Sequence, residues 1–322
     1  MTSRPLGRAG LVSSRIGLGL AALGRPGYIN VGHGDDLGHQ YDVGAMEAQC
    51  HAVLDAAWES GVHYFDTARS YGKAEAFLGS WLQARQIAPA DVVIGSKWGY
   101  AYTAAWRVEA EKHEVKEHSF DRLTSQFAES RAELGNHLDL YQIHSATLES
   151  GVLENRDVLT ELARMKETGL KIGLSTTGPQ QAETIRRAIA VGVFDCVQAT
   201  WNLLEQSAGA ALAEVHDAGM GVIVKEALAN GRLTARNADP TFASNRRLLE
   251  TEANRLGCSL DALALAAVLA QPWADVVLSG AATPEQLRSN LLAADLQWNG
   301  RVDGIAESPA EYWKIRSRLK WN

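Results

Sequence analysis

Cysteine is scarce and scattered: Cys50, Cys196 and Cys258 are odd in number, far apart and free of any CxxC pair. That excludes a disulfide framework and a zinc knuckle readable from spacing, and it points to a reducing, cytoplasmic setting with no metal. Long apolar runs are missing too. The longest, Ala262 to Ala270, is far short of the ~18 residues a membrane span needs. Arg4 and Arg8 near the start are not followed by an apolar signal core. Positive charge is in deficit, 31 Lys and Arg against 38 Asp and Glu for a net charge of −7, which argues against a broad nucleic-acid-binding face. No linker-like composition shift, short repeat or low-complexity tract divides the chain. A single domain over residues 1–322 is the expectation, with no membrane or nucleic-acid partner and with the oligomeric state left open.

Hydrophobic residues make up 46 % of the chain, ample for a large core. Short β-rich runs recur at Ile16–Leu20, Val62–Asp66, Val92–Lys97, Leu138–His144, Leu170–Ser175, Val193–Ala199, Gly221–Lys225 and Asp275–Ser279. Amphipathic stretches lie between them. In Ala45–Ser60, the residues Met46, Cys50, Val53, Leu54, Ala57 and Trp58 form one apolar stripe at helical spacing, closed by Gly61. A second helix is expected from about Glu205 to Ala218. A third opens at Thr283-Pro284-Glu285-Gln286, with the N-cap, first-turn proline and capping-box residues in order. Eight strands alternating with helices predict an α/β fold, a (β/α)8 TIM barrel. Leu6–Arg15 would add an N-terminal β-hairpin turning at Gly10, and the residues after about Asp295 a C-terminal extension. Chemistry then belongs at the C-terminal ends of the strands.

The second strand ends in Asp66-Thr67-Ala68-Arg69-Ser70-Tyr71-Gly72, the third in Gly95-Ser96-Lys97, and the fourth in Tyr141-Gln142-Ile143-His144. An acid, a phenol, an amine and an imidazole thus meet at one mouth, although up to 78 residues apart in the chain. With Phe65-Asp66-Thr67-Ala68, Gly95-Ser96-Lys97 and Asp139 to His144, and with Gly173-Leu174-Ser175, Val197-Gln198, Trp201-Asn202, Gly231-Arg232-Leu233-Thr234 and Gly280-Ala281 to Asn290, the chain resembles the aldo-keto reductase superfamily over about residues 5–292. The resemblance implies an NADP(H)-dependent oxidoreductase interconverting an aldehyde or ketone and an alcohol. Tyr71 would be the proton donor, with Asp66, Lys97 and His144 as partners. An aldose dehydrogenase running oxidatively, or a cofactor-binding regulatory barrel similar to potassium-channel beta subunits, are the alternatives it leaves.

The residue types suit the chemistry. Carbonyl reduction needs a hydride on carbon and a proton on oxygen, and tyrosine is a weak acid with a reference pKa of about 10. A cation about 4 Å away, at an effective dielectric near 20, is worth roughly 4 kcal/mol, up to about three pKa units. Lys97 would supply that charge, Asp66 would hold it, and a neutral His144 would orient the substrate oxygen.

For the cofactor, the resemblance implies nicotinamide contacts at Ser175 and Gln198 and ring stacking on Trp201. Phosphate and adenosine contacts would come from Gly231, Arg232, Ser279, Gly280, Gln286 and Asn290, near a helix N-terminus. Thr176 replaces the asparagine usual after the serine, and a hydroxyl lacks an amide's paired geometry. A basic residue usual just before Asn290 or at the Gln286 position is missing, and Arg232 and Arg288 are the nearby cations expected to meet a 2′-phosphate; the resemblance favours NADP(H) and leaves NAD(H) usable. Trp98, Tyr100, Tyr102 and Trp106 are expected to line an apolar substrate pocket that suits aromatic or bulky carbonyls and leaves a sugar open, with Trp298, Tyr312 and Trp313 in the tail either adding to it or packing on the barrel. Gly17-Leu18-Gly19-Leu20-Ala21-Ala22 also fits a dinucleotide fingerprint, but Gly24-Arg25-Pro26-Gly27 breaks the helix that motif requires. His33, Asp35, Asp36 and His39 read as a solvated loop at the mouth, with a lid role in preference to a metal site.

Overall fold

The computed structural model describes residues 2–298, 300 and 302–322. Eight parallel strands, β1 (Ile16–Gly19), β2 (Tyr64–Asp66), β3 (Val93–Trp98), β4 (Leu138–Ala146), β5 (Lys171–Thr176), β6 (Cys196–Thr200), β7 (Gly221–Lys225) and β8 (Val276–Ser279), close into a barrel in sequence order. Each has its ends within three residues of those of an expected run. The ring closes where Val277 pairs with Ile16. The barrel is the (β/α)8 fold that the alternation predicts.

Helix α1 (Val43–Glu59) starts where the Asp42 side chain accepts from the Gly44 and Ala45 amides, and its stripe of Met46, Cys50, Val53, Leu54 and Ala57 is buried. The helix expected at Glu205 begins only at Gly209 and ends at Asp217. Its would-be first turn is a side-chain-satisfied loop: Asn202 Oδ1 accepts from the Leu204 and Glu205 amides, and Glu205 Oε1 from the Ser207 amide. The helix Pro284–Leu291 has the predicted Thr283 cap, but Gln286 Oε1 accepts from the Ala282 amide, one residue before the position a capping box uses.

The N-terminal hairpin pairs Ser3–Pro5 with Val12–Ser14, so its first strand precedes the expected span, its second lies within it, and Leu6 sits in the connection between them. Leu6 is fully buried with Tyr64, Leu140, Cys196, Ile223 and Val276. A Cβ on Gly221 would lie 2.6 Å from the Leu6 side chain, so the glycine makes room for a plug at the base of the barrel. The base is thereby filled and the opposite end left for a cleft. Among the described residues no helix is long and apolar enough to cross a membrane.

Candidate active site

Asp66 and Lys97 stand at the ends of β2 and β3, 2 % and 1 % exposed. The Lys97 ammonium donates to Asp66 Oδ2, to the Thr67 carbonyl at 2.9 Å and to the Tyr71 hydroxyl at 3.4 Å. An ammonium has three donors, so every N–H is assigned and one is directed at the phenol oxygen. Asp66 Oδ1 accepts from the Gln198 amide at 2.8 Å and from the Gln142 amide at 3.4 Å. Tyr71 hangs on the loop after β2, which turns at Gly72 with φ 63° against the Gly24 carbonyl, where a Cβ would meet that oxygen at 2.4 Å.

His144 owes its position to an irregularity. The β4–β5 register shifts between Ile143 and Ala146, and Ser145 takes φ 54°. Such bulges re-aim side chains. The Ser145 amide donates to Ser175 Oγ at 2.8 Å, so the Ser175 hydroxyl holds the bulge and is absent from the cleft wall. The His144 ring packs edge-on to Tyr71 and Tyr100, with centroids 5.5 and 5.0 Å apart, and its Nδ1 lies 3.3 Å from Ser70 Oγ. Burial, then the nearby Lys97 and Arg25 charges, holds its pKa well below the ordinary value. The imidazole is neutral. A Ser70 hydroxyl that donates to Nδ1 leaves the ring proton on Nε2.

The phenol departs from the simple expectation. Burial pushes the Tyr71 pKa well above 10, the Asp66 charge adds to this, and Arg25 opposes it. The Lys97 charge is offset by Asp66 in direct contact with it, so the pair does not produce the lowering that a bare Coulomb sum predicts.

These groups open into a cleft of about 610 Å³ that also takes in Gly19, Gln198, Asn230, Gly231, Ser279, Gly280, Gln286 and Asn290. Asn290 donates to Ser279 Oγ at 2.9 Å. A Cβ on Gly280 would have no neighbour closer than 4.0 Å, so the glycine leaves an open cradle before the helix N-terminus at Pro284. Asn230 Oδ1 and Thr176 Oγ1 are buried without partners among the described residues. Thr177 joins the wall beside the latter. This cradle, helix end and pair of unpartnered polar atoms fit a dinucleotide.

Several expected contacts fall elsewhere. Trp201 is a core residue packed edge-on against Trp273 at 5.6 Å and does not line the cleft. Arg232 is tied to Glu307 and lies over Phe242 and Tyr312, away from the wall. Arg288 points outward, 64 % exposed beside Glu285. Trp98 is wholly enclosed in the core, and the Trp106 indole donates outward to the Tyr41 carbonyl at 2.7 Å; of the four expected aromatics, Tyr100 alone lines the cleft. Trp298, Tyr312 and Trp313 pack against the barrel. His33 is buried, with Tyr28 edge-on at 6.0 Å, in a short helix at His33–Asp36, while Asp35 and His39 are exposed, so only part of the segment is the solvated loop expected.

In place of an apolar wall stand charges that periodicity does not mark. Arg25 donates to Glu114 Oε1 at 2.6 Å and to the Ser70 carbonyl at 3.1 Å. Arg316 pairs with Glu226, and Lys225 donates to Thr200 Oγ1 at 2.8 Å. Burial draws the Lys225 amine down to about 8, while Arg316 and Lys225 outweigh burial to hold Glu226 at about 2. Lys225 ends the seventh strand much as Lys97 stands at the end of the third, and that position is the one available clue. Arg316 and Trp321 arrive on the tail and have none. Glu75, 1 % exposed, binds Arg69 at 2.5 Å, Ser130 at 2.7 Å and Ser96, tying the Tyr71 loop to β3.

The profile described as the aldo/keto reductase family matches residues 15–301. An NADH-specific methylglyoxal reductase of Escherichia coli is 26 % identical, covering 92 % of this chain and 94 % of its own. A pyridoxal 4-dehydrogenase of Microbacterium luteolum is 27 % identical, covering 90 % and 92 %. A solved aldo-keto reductase from Bacillus halodurans, in its holo form, superposes with a TM-score of 0.73 at 20 % identity, covering 99 % of this chain and 96 % of that one.

Proposed function

The chain belongs to the aldo/keto reductase family, a family of nicotinamide-dependent oxidoreductases, and we propose that as one barrel unit it interconverts a small aldehyde or ketone and its alcohol, with Tyr71 as the proton donor. The observation carrying this is the Lys97 ammonium, 3.4 Å from the phenol oxygen with its other donors occupied, directly behind a cleft that Tyr71 and His144 line and that continues to Gly280 and a helix N-terminus.

The nicotinamide, when bound, supplies the hydride for the carbonyl carbon or accepts it in the reverse direction. Thr176, Thr177 and Gln198 would hold its amide end, and Gly231, Asn230, Gly280, Gln286 and Asn290 the rest. Because Lys97 donates to the phenol oxygen, the Tyr71 O–H is free to donate to the substrate oxygen. The raised pKa keeps that proton in place at neutral pH, so the phenol acts as an acid only when a more basic alkoxide forms beside it. His144, neutral, donates from Nε2 to the same oxygen. Asp66, fixed by two glutamine amides, holds the ammonium in position. Either dinucleotide is accepted, with a narrow preference for NADP(H).

Tyr71→Phe tests the reading. The ring stays and the transferable proton goes, so turnover of a reactive aldehyde falls by about 10²–10⁴-fold, while cofactor affinity, read by fluorescence quenching, holds. Near-normal turnover in a folded variant overturns the assignment. Tight cofactor binding by the unmodified protein without turnover of any carbonyl would favour the regulatory barrel instead.

A further inference from the structure

Two lysines stand at strand ends on this side of the barrel, and they are held differently. Lys97 sits behind the cleft wall with all three N–H donors assigned, one of them to a carboxylate in direct contact. Lys225, the last residue of β7, is the one lysine lining the cleft among the described residues. Its amine donates to a neutral oxygen, Thr200 Oγ1, at 2.8 Å. The nearest carboxylate oxygen, Glu226 Oε1, lies at 3.7 Å, and Arg316 already claims it with Nε at 3.0 Å. Thr200, fully buried, spends its own proton on Glu226 Oε2 at 3.3 Å. The Trp313 ring covers the amine from the tail at 5.8 Å. Lys225 therefore has one hydrogen bond where an ammonium can make three, and its side chain is 16 % exposed towards the cleft.

We propose that Lys225 is a covalent capture site for aldehydes, its amine adding to a carbonyl compound in the cleft to form an imine. The inference rests on the reading that the cleft admits carbonyl compounds, and it adds a reaction that hydride transfer does not use. The nitrogen lone pair attacks the carbonyl carbon and the C–O π pair moves to oxygen, which takes a proton from nitrogen to give a carbinolamine. The remaining C–O bond then breaks, the oxygen leaves as water with the second N–H proton, and the C=N bond forms. Aldehyde and amine become imine and water, with nothing oxidised or reduced.

The amine must first be neutral. Burial favours that form, the Glu226 carboxylate opposes it, and the Arg316 and Lys97 charges favour it, so that the group titrates at about 8. His144, which also feels the Lys225 charge, is itself neutral. At pH 7 the neutral fraction is on the order of a hundredfold above that of an ordinary lysine of pKa about 10.4. Desolvation beside a second cation is a recognised way to make a lysine nucleophilic. Lys97 gains nothing comparable, because its third proton is held on Asp66.

The experiment treats the full chain, without added dinucleotide, with propanal and cyanoborohydride, which reduces an imine to a stable secondary amine. Peptide mass mapping then locates the label. The peptide holding Lys225 should gain the mass of propanal less one oxygen atom, at least tenfold faster at pH 7 than peptides holding exposed lysines. The rate should climb with pH and level off above about 8. Lys225→Arg and Lys225→Met, with melting temperature reporting their fold, should lose that label, while Tyr71→Phe should label as fast as the unmodified chain. Label spread evenly over the exposed lysines overturns the proposal, as does label at Lys97. Turnover of propanal with no label at Lys225 overturns the capture and leaves the reduction reading standing. Label at Lys225 with no turnover of any carbonyl, on either dinucleotide, upholds the capture and sinks the reduction reading alone.

Discussion

On one side of the barrel mouth Asp66, Lys97 and His144 stand on strands, each at most 9 % exposed, and every donor of the ammonium is spoken for. On the other, Arg316, Arg236 and Lys225 come from the tail, a loop and the last residue of a strand, with side chains 25 %, 44 % and 16 % exposed. The first side holds its charges in a fixed, dry arrangement suited to moving a proton. The second presents charges that a ligand can reach and rearrange. Substitutions on the two sides should therefore fail in different ways: turnover and stability together on the first, selectivity alone on the second.

The sharpest break is expected at Lys97. Lys97→Met leaves Asp66 buried without its counter-ion, and such half-pairs cost about 3–5 kcal/mol. Melting temperature should fall, and turnover should fall at least a hundredfold with it. Adding Asp66→Asn should restore most of the stability and none of the turnover. Recovery of both in the double variant would show that the pair serves the fold and not the proton transfer.

Two aromatics sharpen the contrast further. Trp98 and Tyr100 are two residues apart, yet Trp98 is enclosed and Tyr100 faces the cleft. Trp98→Ala should destabilise by about 3–5 kcal/mol, the usual cost of emptying a large core site, and leave the ranking of substrates intact. Tyr100→Ala should reorder substrates with little loss of stability. A reordering by Trp98→Ala in a folded enzyme would place the pocket wall elsewhere.

What can be read from the sequence follows the same division. Strand ends are legible because β-runs have a fixed length and the closed barrel sends each end to one face, so Asp66, Lys97 and His144 can be brought together from pattern alone. Tyr71 is within reach of the same reasoning because its loop is short. Arg316, Trp321 and Glu114 are not, since nothing local to a tail or an excursion tells which side of a barrel it will cross. Trp98 escapes for a related reason. Its position after Lys97 says that it is near the mouth, but strand alternation decides whether it faces the cleft or the helices. Arg232 escapes because a partner 75 residues away, Glu307, claims it.

A smaller effect concerns acid. Burial holds the pKa of both His33 and His118 down at about 4, and that of His144 well below its ordinary value. Between pH 6.5 and 4 the unfolded chain binds protons at these rings that the folded chain refuses, so stability rises with pH across that window and is lost as pH falls through it. His33 lies away from the reacting groups, so His33→Leu isolates this effect. It should remove on the order of 2–3 kcal/mol of the pH dependence, read by denaturant unfolding at pH 7 and pH 4.5. An unchanged slope would mean that His33 is not held neutral.

The smallest effect is at the adenosine end. With Arg232 and Arg288 turned away, Arg236 is the arginine lining that part of the cleft, and it is bound to Asp36 at 2.5 Å, with Asp261 and Glu285 nearby on the wall. A 2′-phosphate must draw Arg236 from Asp36, and the carboxylate it leaves then repels the incoming charge. A charge-assisted hydrogen bond gains about 1.5–3 kcal/mol, and losing the ion pair returns part of it, leaving about 1 kcal/mol, or roughly a fivefold preference for NADPH over NADH. Arg236→Ala should erase that preference by weakening NADPH binding while NADH affinity stays put, as measured by fluorescence titration of each dinucleotide. Asp36→Asn should act in the opposite direction, freeing the guanidinium and widening the preference. NADPH bound more than a hundredfold tighter than NADH, and indifferent to Arg236, would mean that another cation reads the phosphate and that this side of the mouth is as rigidly paired as the other.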